Sequence, residues 1–180
     1  MIKTRFAPSP TGLRFSLDRL GRAPARFDAS QLDHWQRETI ARSTPADLWA
    51  WMSPLVGERV PERMRPAFVE AIRANVPLPA DALLWVGILY GDDIEISDAA
   101  TRVLAGAASG FFDEALEICG RLAGIEALAG ELKTRLGLSG KALFLPLRVA
   151  LTGRIDGPDL ADLIALMPRD RVRERFAAQP

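Results

Sequence analysis

Leu145-Pro146-Leu147-Arg148-Val149-Ala150-Leu151-Thr152-Gly153-Arg154, followed by Gly157-Pro158-Asp159-Leu160, is the stretch that decides the fold. An apolar run carrying a single arginine reads as a buried helix, and Thr-Gly reads as its end. Gly-Pro a few residues later opens another helix, because proline is suited to a first helical turn and glycine to the bend before it. The result is a tight helix–turn–helix with one cation, Arg148, held near a helix end. Read outward from here, the chain gives final helices over about 141–152, 158–167 and 169–177. In the last of these Val172 and Phe176 turn inward, and the Arg169–Arg175 run forms the exposed face.

The same pattern continues toward the amino terminus. Asp28 is placed to cap a helix whose Leu32, Trp35, Thr39 and Ile40 recur at helical spacing. Thr44-Pro45-Ala46-Asp47 restarts it with a hydroxyl cap, proline in the first turn and an acid three residues on. Leu48, Trp51, Met52 and Leu55 make the next buried stripe. A third helix from about Pro61 buries Met64, Phe68 and Ile72, and a fourth from about Pro79 turns Leu83, Val86 and Tyr90 inward. Ser97 caps a fifth. Ala115, Leu116, Cys119 and Leu122 resume the period after a joint rich in small residues, and Gly137 fits a helix stop after Leu136. Ile2–Phe6 alternates weakly, but an isolated strand has no partner. The reading is all-α: an extended connector over 13–27, then two small helical-bundle subdomains, 28–95 and 96–180.

Composition narrows the function classes. Of 180 residues, 48% are apolar and 26% charged, as in ordinary globular proteins. No apolar run reaches the roughly 18 residues of a membrane span. One cysteine excludes an internal disulfide framework and suits a cytoplasmic location, and one histidine, His34, makes a histidine-rich metal site implausible. Lys+Arg and Asp+Glu both number 23, which argues against a non-specific nucleic-acid binder held by broad counterion release. Basic residues cluster locally, however, in 1–26 and again in the tail. Of the four tryptophans, Trp35, Trp51 and Trp85 fall on apolar stripes and are assigned to the core, while Trp49 lies beside its stripe.

The Leu145–Leu160 stretch resembles the carboxy-terminal anticodon-binding region of bacterial glutamyl-tRNA synthetases, where a similar "PLRVALTG" helix leads into a Gly-Pro turn. Arg5-Phe6-Ala7-Pro8-Ser9-Pro10-Thr11-Gly12 is similar to the first residues of the same enzymes, and Arg5, Ala7 and Ser9 match positions that hold glutamate there. Gly12 then runs directly into Leu13–Asp28, which resembles the family's connector after its second ATP motif. Neither the histidine-containing nor the lysine-containing ATP motif is present. Residues 1–12 therefore read as a remnant of a catalytic domain whose remainder is missing. The expectation is no aminoacylation by this chain and no cofactor, although the full-length family uses ATP and magnesium. Adenylation requires preorganised donors and metal-bound phosphates that a twelve-residue piece does not supply.

The resemblance implies RNA contacts at specific positions. Val69–Val76 lines up with a helix end at which some members carry an anticodon-reading arginine; Asn75 stands there, able to hydrogen-bond a base but lacking the fork and the charge. Arg73 is expected to touch phosphate or cap the helix end. Arg148 matches an arginine facing anticodon nucleotides, Leu160 an apolar position that packs on a base, and Gly157-Pro158 the turn that presents it. Lys141 and Arg154 flank the same helix as phosphate contacts. From the residues alone, Arg148 reads first as a structural cap on the helix ending at Leu151-Thr152-Gly153. The implied partner is tRNA(Glu), with tRNA(Gln) as a second candidate given Asn75, and the chain is expected to be a monomer. The rival reading is a helical protein–protein interaction module on the same scaffold.

Overall fold

Ten α-helices account for most of the residues that the computed structural model describes, which are 28–91, 94–121 and 124–179, with no strand among them. The alternation of Ile2–Phe6, the 1–12 and 13–27 segments, Asp92-Asp93 and Leu122 lie outside the described residues.

Side-chain caps set four of the ten α-helix starts and the turn before a fifth. The Asp28 carboxylate accepts the Ser30 amide at 2.9 Å and opens α1 (Ala29–Arg42). Thr44 accepts the Asp47 amide at 3.2 Å, with Pro45 in the first position of α2 (Pro45–Val56). A 3-10 turn, Glu62–Met64, leads into α3 (Arg65–Ile72), and another, Arg73–Asn75, follows it. The Asp81 carboxylate accepts the Leu78 amide at 2.7 Å where a third such turn enters α4 (Ala82–Tyr90). Ser97 caps α5 (Asp98–Ala105); α6 (Phe111–Arg121) and α7 (Ile125–Leu136) follow. Gly137, at φ 68°, stops α7 in the left-handed conformation. Then come α8 (Lys141–Thr152), α9 (Leu160–Leu166) capped by Asp159, and α10 (Arg169–Ala177).

Two helices form the spine. In α4 the residues Ala82, Trp85, Val86, Ile88 and Leu89 are buried, and in α8 burial runs unbroken from Val149 to Thr152. Helices apolar on most sides belong in the middle of a bundle. Accordingly α4 packs on α2 and α8, while α8 packs on α5, α7 and α10. One continuous cluster of buried side chains extends from Ile40 to Phe176.

Two apolar stripes are covered less than their spacing predicts. Trp35, assigned to the core, is 63% exposed, and Leu32 is exposed beside it. The reason is that α1 meets the rest of the described protein mainly at its end, against the turn Arg73–Asn75. In α2 the inward line is Leu48, Met52 and Val56 at four-residue spacing, which leaves Trp51 and Leu55 at the exposed rim. Trp49 is half-buried, with the Arg65 guanidinium 5.0 Å from its ring centre.

Candidate nucleic-acid interface

The turn after α8 is built by backbone constraints at two glycines. Thr152 Oγ1 donates to the Arg148 carbonyl at 2.7 Å and accepts the Arg154 amide at 3.2 Å, so one buried hydroxyl closes the helix and starts the loop. Gly153 then adopts φ 71°, with the Glu95 carbonyl oxygen only 2.3 Å from where a Cβ would stand. Gly157, at φ 134°, lies against Trp85: a Cβ there would meet Cη2 at 2.5 Å. Arg148, half-buried in the last turns of α8, donates from Nη1 to the Pro158 carbonyl at 2.8 Å. Asp159 accepts the Ala161 amide at 2.7 Å and starts α9. The cation, through Pro158, and the aromatic ring, against Gly157, thus hold one loop at adjacent residues.

That loop forms one wall of a groove of about 430 Å³. Arg154, Asp156 and Gly157 stand on its α8 side; Asn75 and Pro77 stand opposite, and Trp85 contributes to the lining between them. Asn75 is exposed at the end of its 3-10 turn. It also borders a second concavity of about 530 Å³ shared with Arg37, Ile40, Ala41 and Arg73. Asn75 therefore sits on the ridge between two hollows. Arg154 pairs with Asp156 at 3.4 Å on the rim, an exposed pair whose hold is weak. Trp85 is 3% exposed, and its Nε1–H has no partner among the described residues.

The structure sorts the expected contact residues into three groups. Asn75, Arg154 and Gly157 converge on the groove, and Arg148 supports it from behind through Pro158. Leu160 is 6% exposed and turned into the core rather than toward the surface. It starts α9, whose inward side must cover α3 and α7. Arg73 is committed to the fold: Nη2 donates to the carbonyls of Ile40, Ala41 and Ser43 at 2.9–3.0 Å, and Nη1 pairs with Glu70 at 3.0 Å. It caps α1 across the chain, and not the end of its own helix. Lys141 stands at the opposite end of α8, beside Arg102, roughly 16 Å from Thr152 at 1.5 Å per residue. Arg5, Ala7 and Ser9 lie outside the described residues.

One arginine departs from its predicted place. Arg175, read as part of an exposed basic face, is 5% exposed. Its guanidinium donates to the carbonyls of Leu151 and Ile88, the latter at 2.6 Å. Burial, with the Arg171 charge as a lesser cause, pulls its pKa down to about 10, so it remains charged at neutral pH. Sequence reasoning missed this role, and missed Trp85 as part of the groove and Arg37 beside it. The Gly-Pro pair marked a bend but not its neighbour, since positive φ alone does not require close packing: Gly110, Gly124, Gly137 and Gly140 share it with open space around them.

Comparison with known proteins bears on the fold and the family. A family model described as an anticodon binding domain matches residues 85–179, more than half of the chain. Glutamate–tRNA ligase 2 of Nitrosococcus oceani is 45% identical over 164 residues, covering 91% of this chain and 35% of the relative. Glutamate–tRNA ligase 1 of Methylococcus capsulatus is 37% identical over the same shares. The chain thus spans about a third of the length of the curated relatives it matches. A crystal structure of a glutamate tRNA ligase from Elizabethkingia meningosepticum superposes with a TM-score of 0.75 at 17% identity, over 91% of this chain and 34% of that one. The chain belongs to the anticodon-binding domain family, and the part of the glutamate–tRNA ligases that it resembles is their anticodon-binding part.

Proposed function

We propose that this chain binds the anticodon loop of tRNA(Glu) in the groove between Asn75 and Arg154, and that it carries out no aminoacylation itself. The observation that carries the reading is the convergence of Asn75, Arg154 and Gly157 on one concavity from segments almost eighty residues apart in sequence. RNA loops present unstacked bases, which are read by open amides, guanidinium planes and apolar surfaces. Asn75 offers one donor pair and one acceptor, Arg154 a rim cation, and Pro77 and Leu84 an apolar lining. Arg148 acts through Pro158 by holding the turn in place. Lys141 and Arg102, at the far end of α8, would meet phosphates of the flanking stem. The reading assigns no ATP or magnesium chemistry to this chain, since neither ATP motif occurs in its sequence, and it places a monomer in the cytoplasm.

Filter binding of tRNA(Glu), tRNA(Gln) and an unrelated tRNA at several salt concentrations tests it. Asn75→Ala should weaken binding by about 1–3 kcal/mol for the preferred anticodon only, and Arg154→Ala should weaken all three and reduce the salt slope by about one unit. A wild-type chain that holds the three tRNAs equally would rule the reading out.

A specific observation favours a second reading. Leu32 and Trp35 form an exposed apolar pair on α1, an arrangement that suits a protein partner. Trp35→Ala leaving tRNA binding intact while abolishing a protein contact would support it.

A further inference from the structure

The Trp85 surface of the groove and its wall at residues 154–157 belong to different parts of the chain, and one side chain joins the helices that lead to them. Arg175 reaches from α10 into the core and donates from Nη1 to the Leu151 carbonyl and from Nη2 to the Ile88 carbonyl. Both acceptors lie in the last turn of their helices, α8 and α4. Carbonyls there lack intrahelical partners and carry the negative end of the helix dipole. A buried guanidinium with no carboxylate in ion-pair distance among the described residues is costly unless such groups surround it. Here two helix ends supply part of the compensation, through Nη1 and Nη2, while Nε is buried with no partner among the described residues; the fork geometry fixes the distance between the two ends.

What each helix end carries makes this more than a packing detail. Trp85, which receives Gly157, lies three residues before Ile88 on α4. Thr152-Gly153-Arg154 follows immediately after Leu151 on α8. We propose that Arg175 is a positioning residue: it sets the separation of α4 and α8, and through them the width of the groove, without touching RNA. The inference rests on the anticodon-binding reading for its functional consequence. Its structural half, the clamp between two helix ends, can be read independently. Lysine keeps the charge but not the planar fork, so it can serve one carbonyl in good geometry and not both.

The experiment compares the full chain with Arg175→Lys and with Val172→Ala, a buried residue one turn earlier on α10. Each protein is measured for helix content, melting temperature, tRNA(Glu) affinity and amide exchange under native conditions. For R175K the expected result is unchanged helix content, exchange faster by about tenfold in residues 84–90 and 150–157 together, and tRNA affinity lowered by about tenfold. V172A should melt earlier while keeping its affinity and its protection in both segments. The proposal is overturned if R175K binds tRNA as the parent does, or if both variants lose affinity in proportion to lost stability. Should R175K fail to fold, Arg175→Gln, which still donates to one carbonyl, takes its place. If the parent itself binds no tRNA, the anticodon reading fails, and the exchange measurement still decides the clamp. Joint loosening of the two segments supports it, and loosening confined to α10 refutes it.

Discussion

Gly157→Ala should destabilise the protein by an amount that can be worked from two separate terms. The backbone at Gly157 has φ 134°, a region that side-chain-bearing residues occupy only under strain of about 1–3 kcal/mol. The added Cβ would also stand 2.5 Å from Cη2 of Trp85 and 3.4 Å from Cζ2 and Cζ3. The ring is 3% exposed and cannot swing into solvent, so the overlap must be relieved by moving the loop or the helix, at about 1–3 kcal/mol. The sum is on the order of 3 kcal/mol, which in a chain of this size lowers the melting temperature by roughly 6–12 °C. Urea unfolding followed by circular dichroism measures it. The steric term can be isolated, because Trp85→Leu removes the atoms that collide. In the double variant part of the penalty should disappear, with a coupling of about 1–2 kcal/mol, while the backbone term remains. If G157A stays within about 0.5 kcal/mol of the parent, or if the cycle shows no coupling, the loop is not seated on the ring in the manner described.

Two further outcomes follow from the capping interactions. Arg73→Met removes donors from the carbonyls of Ile40, Ala41 and Ser43, and should cost about 1–3 kcal/mol; amide exchange should rise in α1 before any other helix. Asp28 has its pKa held below the ordinary value of 3.8, first by the Ser30 hydroxyl and then by the Ser30 amide. A lowered carboxylate pKa means support for α1 that is complete above 3.8 and lost as pH falls through the lower folded value. An acid titration of the Ser30 amide resonance should therefore show its midpoint below 3.8, and a midpoint above it would contradict the cap.

Much of this architecture was legible because capping is local. Asp28, Thr44 and Ser97 accept amides two or three residues away, and Gly137 ends α7 by its own φ, so each signal lies within one turn of its effect. The end of α8 at Gly153 follows for the same reason, whereas α9 starts at Leu160 because Asp159, and not the Gly-Pro pair, is its cap. Burial was harder to read. Periodicity identifies which side of α1 is apolar, but it does not say whether anything packs there, and Trp35 shows the gap. In α2 the apolar arc is wider than the contact, so the rim residues Trp51 and Leu55 share the stripe's spacing without its burial.

The arginines show where sequence reasoning reaches its limit, and why. A guanidinium is recognisable as a cation from sequence, yet its role depends on its acceptor, and these acceptors are distant. Arg148 meets Pro158 ten residues on, Arg73 meets Ile40 thirty-three residues back, and Arg175 meets Ile88 eighty-seven residues back. In each case the acceptor is a backbone carbonyl, which every residue has, so no motif marks it. The consequence reaches the chemistry of recognition. Three cations that a charge count would offer to phosphate are engaged with the fold, while Arg37, Arg154, Arg102, Lys141 and Arg169 line concavities among the described residues. Under the proposed function, a chain of zero net charge draws only a small part of its RNA affinity from counterion release. On that same proposal the larger part comes from the fit of bases into a groove shaped by arginines engaged with the fold, so that cations remote from the ligand act on it through shape.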